Sequence, residues 1–170
     1  MIQADPSSRR PADRRAGPSG FTLVEILIVV VILGVLAAIV IPQFADATAQ
    51  SSKSVFASNI KSFAEAAQLY RFDTGNYLED SSSGTMPTGF DAYVRERDWV
   101  GGTPIGGVWD AEYEGSGGVT SAIGVHFDGT GVTREDAFMQ EIDALIDDGD
   151  LEAGVFRKLE DNRFYYVLAE

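Results

Sequence analysis

A chain of 170 residues with 45% apolar and 11% aromatic residues has material for one modest core plus an anchor, so wholesale disorder is excluded. Its 26 acidic against 13 basic residues leave a net charge of −13, which opposes binding to the phosphates of nucleic acid and suits a soluble surface. The absence of cysteine removes disulfides, zinc–thiolate sites and thiol nucleophiles together.

Residues 1–20 combine Pro6, Pro11 and Pro18 with Arg9, Arg10, Arg14 and Arg15 and have no apolar periodicity, as expected of an unstructured basic leader. The chain then changes abruptly. From Phe21 to Ile41 the only polar side chains are Thr22 and Glu25. Twenty-one residues at about 1.5 Å each span roughly 30 Å, the thickness of a bilayer's hydrocarbon core. A helix satisfies its own backbone in lipid, so 21–41 is expected to be transmembrane. The preceding arginines place the leader in the cytoplasm and everything after Pro42 outside.

Beyond Pro42 the greasy run becomes a stripe. Ala45, Ala49, Ser52, Phe56, Ile60, Phe63, Ala67 and Tyr70 recur at steps of three and four, which predicts one helix over about 21–72, ended by Gly75-Asn76. A head over 73–170 follows. It opens with an irregular, Gly-rich stretch from Ser81 to Gly107, then strands at Val108–Tyr113, Ala122–Asp128 and Phe164–Leu168. Ile123, Val125 and Phe127 alternate with Gly124 and His126, the pattern of a half-buried strand. Between strands, Thr133 to about Asp147 reads as a helix, with Thr133 and Asp136 as a capping box and Phe138, Ile142, Leu145 and Ile146 as its buried face. The expected fold class is α+β: a long N-terminal helix packed on a small antiparallel sheet.

The junction Gly20-Phe21-Thr22-Leu23-Val24-Glu25 carries the most information. An ordinary secretory signal is cut after its apolar stretch, whereas here the cut signal stands before it. From Arg14 to Gln43 the chain resembles the leader and helix of type IV pilins and type II secretion pseudopilins. The resemblance implies cleavage after Gly20 and N-methylation of Phe21 by a prepilin peptidase/methyltransferase. It further implies self-association into a helical filament, with an assembly platform and other pilins as partners, from a precursor in the bacterial inner membrane whose head lies outside the cytoplasm. In that family the glutamate at the position of Glu25 pairs with the Phe21 amine of a neighbour. Physics agrees that a lone carboxylate in apolar surroundings needs a cation, although solvation of Glu25 at the interface is the plainer alternative. Gly34 and Pro42 weaken the helix, one by low propensity and the other by removing a donor to the Ala38 carbonyl. The resemblance makes the segment between them extensible; Pro42 simply marking the membrane exit is the alternative. YRFDTGNY at the helix exit is similar to pseudopilins, while the paired cysteines of many type IV pilins are missing.

Chemistry is otherwise thinly signalled, and no cofactor or catalytic role is expected. His126 is the one histidine, without a nucleophile-elbow string, and is expected at the surface. GGTPIGG and DGTG lack the lysine of a phosphate loop and read as turns. The acids Asp147, Asp148 and Asp150 around Gly149 are of the type that suits calcium, but EF-hand spacing is absent and a solvated helix end is the simpler expectation. The aromatics of the head, Trp99, Trp109, Tyr113, Phe127, Phe156, Phe164, Tyr165 and Tyr166, are expected in the core. A membrane-tethered periplasmic sensor or binding domain is the alternative to a filament subunit.

Overall fold

The computed structural model describes residues 20–115 and 118–170. The expected leader, residues 1–20, therefore lies outside the described residues except for Gly20. The chain divides into two compact units, Met1–Pro42 and Gln43–Glu170. Helix α1, Leu23–Thr74, belongs to both.

Within the second unit, α1 places Lys53, Phe56, Ala57, Ile60, Phe63, Ala64 and Ala67 in the interior. Steps of three and four keep those residues on one face. Ala45 and Ala49, which share the sequence stripe, are exposed, so the packed face begins at Ser52 and Lys53. The helix ends where expected. Gly75 takes φ 76° and its N–H donates to the Arg71 carbonyl at 2.8 Å, a left-handed C-terminal stop.

The stretch expected to be irregular contains a 3-10 turn, Phe90–Ala92, and a one-turn helix α2, Glu96–Val100. Both exist to insert one ring: Phe90 and Trp99 are fully buried and pack edge to face at 5.6 Å. Five residues are too few to show helical periodicity in sequence. Strands β1 (Val108–Tyr113), β2 (Ser121–His126), β3 (Phe156–Glu160) and β4 (Arg163–Ala169) form an antiparallel sheet in the order β1-β2-β4-β3. Helix α3, Asp136–Ile146, falls between β2 and β3 in the chain. The α+β class holds: a long N-terminal helix packed against a small antiparallel sheet.

Three expectations need correction. Strand β2 is not half-buried; Ser121 through Val125 are all buried, because β2 is a central strand with cover on both sides. Strand β3 was invisible in sequence because FRKLE is charged, as suits an edge strand. The Thr133–Asp136 capping box does not form. Helix α3 starts at Asp136 with Glu135 at its N-cap and no side-chain cap. Its buried residues are Met139, Ile142 and Asp143, with Phe138 and Ile146 partly buried and Leu145 exposed.

The main core lies between α1 and the sheet. Phe56 stacks flat on Trp109 at 5.3 Å, Phe63 meets Trp109 edge-on at 4.8 Å, and Phe63 and Trp99 lie 5.5 Å apart. Ile123, Phe127, Met139, Ile142, Phe156 and Phe164 complete it. Each such side chain contributes about 1.5–3 kcal/mol of transfer free energy. Tyr113 is the exception among the expected core aromatics, being 38% exposed. Val119, Ala122 and Tyr165 form a second, smaller cluster, partly covered by Leu159 and Val167. Gly124 makes room for it: a Cβ there would stand 2.1 Å from the Phe164 carbonyl oxygen and 2.7 Å from the Tyr165 ring.

Candidate functional site: the apolar N-terminal segment

The apolar part of the first unit, 23–41, has one side-chain pattern throughout. From Leu23 to Ile41 every residue of α1 is exposed, including Ile26, Leu27, Ile28, Val29, Val30, Val31, Ile32 and Leu33 at about half their surface. Apolar side chains covering every side of a helix need lipid or other apolar helices around them. Among the described residues, α1 alone is long and apolar enough to cross a membrane.

The helix begins in a defined way. Thr22 stands just before Leu23, and its Oγ1 accepts the Glu25 N–H at 3.2 Å. The Glu25 carboxylate reaches back, with Oε2 accepting the Thr22 N–H and the Thr22 hydroxyl, each at 2.7 Å. This is a reciprocal capping box, satisfying donors that a helix start otherwise leaves open. The string T-x-x-E before an apolar run signals it in sequence. Glu25 therefore has a local partner as well as being the only charge of the segment. Further along, helical backbone continues through Gly34 and Pro42. Nothing lies within 4 Å of where a Gly34 side chain would begin.

The other candidates are dispersed through the second unit. His126 is half-buried, its Nδ1 2.7 Å from the Ser83 hydroxyl. Asp110 lies beside the Ser83 hydroxyl while its Oδ2 accepts the Tyr165 hydroxyl at 2.6 Å, and among the described residues no carboxylate makes a hydrogen bond with the imidazole, as a hydrolytic relay requires. Burial pushes the Asp110 carboxyl above the ordinary range, opposed by Tyr165 and Arg163. Asp128 is occupied by the Thr130 amide and hydroxyl, at 3.0 and 2.7 Å, making DGTG a turn as expected. GGTPIGG is also a turn, closed by the Thr103 N–H on the Gly107 carbonyl at 3.1 Å.

One comparison with known proteins falls on the apolar segment. Residues 15–41 carry the prokaryotic N-terminal methylation motif. This motif begins in the basic leader and ends one residue before Pro42. Over 64 residues, 38% of the chain, it is 45% identical to a type II secretion system core protein G of Pseudomonas aeruginosa, covering 45% of that protein. It is 38% identical over 58 residues to the core protein G of Escherichia coli, which is 34% of this chain and 40% of the relative. It is also 41% identical over 60 residues to the type IV major pilin protein PilA of Myxococcus xanthus, 35% of this chain and 27% of the relative. The chain thus spans less than half the length of each of these three curated relatives. No solved structure matches it significantly.

Proposed function

We propose that this chain is a structural subunit of a filament of the type IV pilus or type II secretion pseudopilus kind, and not an enzyme. The observation that carries the reading is the helix segment around Glu25: apolar on every side, exposed, containing one carboxylate, and bearing the methylation motif. Prepilin peptidase cuts after Gly20, and Phe21 becomes the methylated N-terminus. The precursor rests in the bacterial inner membrane through 21–41, with 73–170 outside the cytoplasm. Its partners are then other copies and other pilins, with an assembly platform feeding them into the fibre.

Cleavage explains the position of Glu25. It creates an α-amine at Phe21, a cation in the same apolar environment, and a carboxylate left unpaired there costs a few kcal/mol. Pairing Glu25 of one subunit with the Phe21 amine of the next sets the axial register. Gly34 and Pro42 give the segment between them a low cost of local unwinding under tension.

Mass spectrometry of membrane-extracted protein tests processing: the mature chain begins at methylated Phe21. An intact Met1, or a cut beyond the apolar run near Ala45 to Ala49, would instead make it a tethered binding domain. Glu25→Ala tests assembly. The variant is processed normally and yields no filaments; normal filaments would remove the pairing role.

A further inference from the structure

Helix α1 ends beside a hollow that its own last turn helps to build. The hollow measures about 390 Å³, and Tyr70, Gly75, Asn76, Tyr77, Glu79 and Tyr113 line it. Tyr70 comes from α1, and the left-handed turn at Gly75 sends the chain back so that Tyr77 and Glu79 stand beside it. Tyr113 arrives from the end of β1, its ring centre 6.4 Å from that of Tyr77. Three rings from separate places in the chain therefore wall one space.

The walls are held in place by their surroundings. Tyr70 packs edge to face with Tyr93 at 5.5 Å, and Tyr93 donates to Asp73 Oδ2 at 3.1 Å. The Tyr113 hydroxyl is bound to the neighbouring Glu114 carboxylate. Asn76 Nδ2 donates to the Thr74 carbonyl at 3.3 Å. Tyr113 nonetheless keeps 38% of its surface exposed, and Tyr70 and Tyr77 are half-buried, so the rings are both preformed and reachable.

The potential in the hollow is negative from three sources. The face of an aromatic ring is the negative pole of its quadrupole. The end of α1 at Thr74 supplies the negative end of the helix dipole. Glu79 adds a full charge, is exposed, and forms no ion pair among the described residues. The protein itself shows what such a ring accepts. The Arg71 guanidinium stands 4.0 Å over Tyr77, and Arg71 is not part of the hollow's wall.

We propose that this hollow recognises the guanidinium of an arginine side chain on a basic partner protein. A guanidinium is planar and weakly hydrated, so it lies flat on a tyrosine while its N–H fork reaches a carboxylate, here that of Glu79. An ammonium has no flat face and holds its water more tightly. Anionic groups are opposed by Glu79 and by the helix end. Charge complementarity extends beyond the hollow, since the whole chain carries −13.

The test uses the full chain, labelled on its tyrosine rings with carbon-13, in maltoside micelles at about 0.15 M salt, where loose attraction to a charged surface is screened. Nα-acetyl-arginine methylamide is titrated in and followed by NMR. The Tyr77 and Tyr113 ring signals move and saturate at millimolar probe. The citrulline analogue, of the same shape without the charge, moves neither, and the lysine analogue binds more weakly than arginine. Glu79→Gln and Tyr113→Leu each weaken binding about fivefold. Asp161→Asn, an equal loss of charge on the fully exposed β3–β4 turn, leaves it unchanged. Should Tyr113→Leu fail to fold, as read by tryptophan fluorescence, Glu79→Gln at its exposed position still reads the site. An equal response to citrulline, or an effect of Asp161→Asn as large as that of Glu79→Gln, would overturn the proposal. So would lysine or choline binding as tightly as the arginine probe.

Discussion

Replacing Tyr165 by Phe isolates one buried hydroxyl. The ring is fully buried, and its oxygen donates to Asp110 Oδ2 at 2.6 Å while receiving Arg163 Nη1 at 3.3 Å. Asp110 is itself 2% exposed and retains only Arg163 Nη1, at 3.5 Å, and the nearby Ser83 hydroxyl once Tyr165 is lost. A hydrogen bond to an ionised group is worth about 1.5–3 kcal/mol, against about 1 kcal/mol for a neutral pair. The expected loss is therefore about 2 kcal/mol while Asp110 is ionised, falling toward about half that as the pH is lowered far enough to protonate it. The sign follows from linkage. Burial already raises the Asp110 carboxyl, so the folded chain keeps that proton to higher pH than the unfolded chain and loses stability as the proton leaves. Removing the hydroxyl raises it further and steepens that loss. Urea titrations of full-length protein in micelles, read by fluorescence of the buried Trp99 and Trp109, measure both values. A penalty independent of pH, or one that shrinks as pH rises, would refute the assignment of the Tyr165 hydroxyl as the donor that keeps Asp110 ionised.

Trp109→Ala removes the ring that Phe56 and Phe63 both pack against and is expected to cost about 3–5 kcal/mol in the same titration. Gly124→Ala drives a methyl group into the Phe164 carbonyl and the Tyr165 ring, so little folded protein is expected by gel filtration in micelles. Gly75→Ala meets no neighbour within 4 Å and pays only for its left-handed backbone, about 1 kcal/mol, with no loss of folded yield. Lys53→Met keeps the stem packed but leaves Glu141 without its 2.6 Å partner; because Glu141 is exposed, urea titration is expected to show a change below about 1 kcal/mol.

The sequence is most legible where a period is long and uninterrupted. Thr22 to Phe72 reveals itself through composition first and a helical stripe second, and the structure extends that helix only to Thr74. Val108–Tyr113 is bounded by glycine and by a turn, and β1 has those same ends. Legibility fails where tertiary context overrides local pattern. Phe156–Glu160, with Arg157, Lys158 and Glu160, gives no strand signal, yet its backbone pairs with β4. The burial of Lys53 is equally hidden: only the fold brings Phe138 under its ammonium, 4.3 Å from the ring centre, and Glu141 to its tip. Of the junction residues, Gly20 and Phe21 announce themselves by position relative to the apolar run, and Thr22 by its spacing from Glu25. Asp143 has a faint signal, an acid at a helix position with apolar Met139 four residues before it and Ile146 three after.

The loop that Thr22 and Glu25 close on themselves has a consequence for how strongly any later partner can hold. A carboxylate that already accepts two hydrogen bonds gives them up, wholly or in part, when another group draws it away. What a newcomer gains is then a difference between two occupied arrangements, not the whole attraction of opposite charges. On the proposed function, exchange of that kind favours joints that form in the right place and release without great force, and spares a subunit awaiting assembly a bare anion in oil.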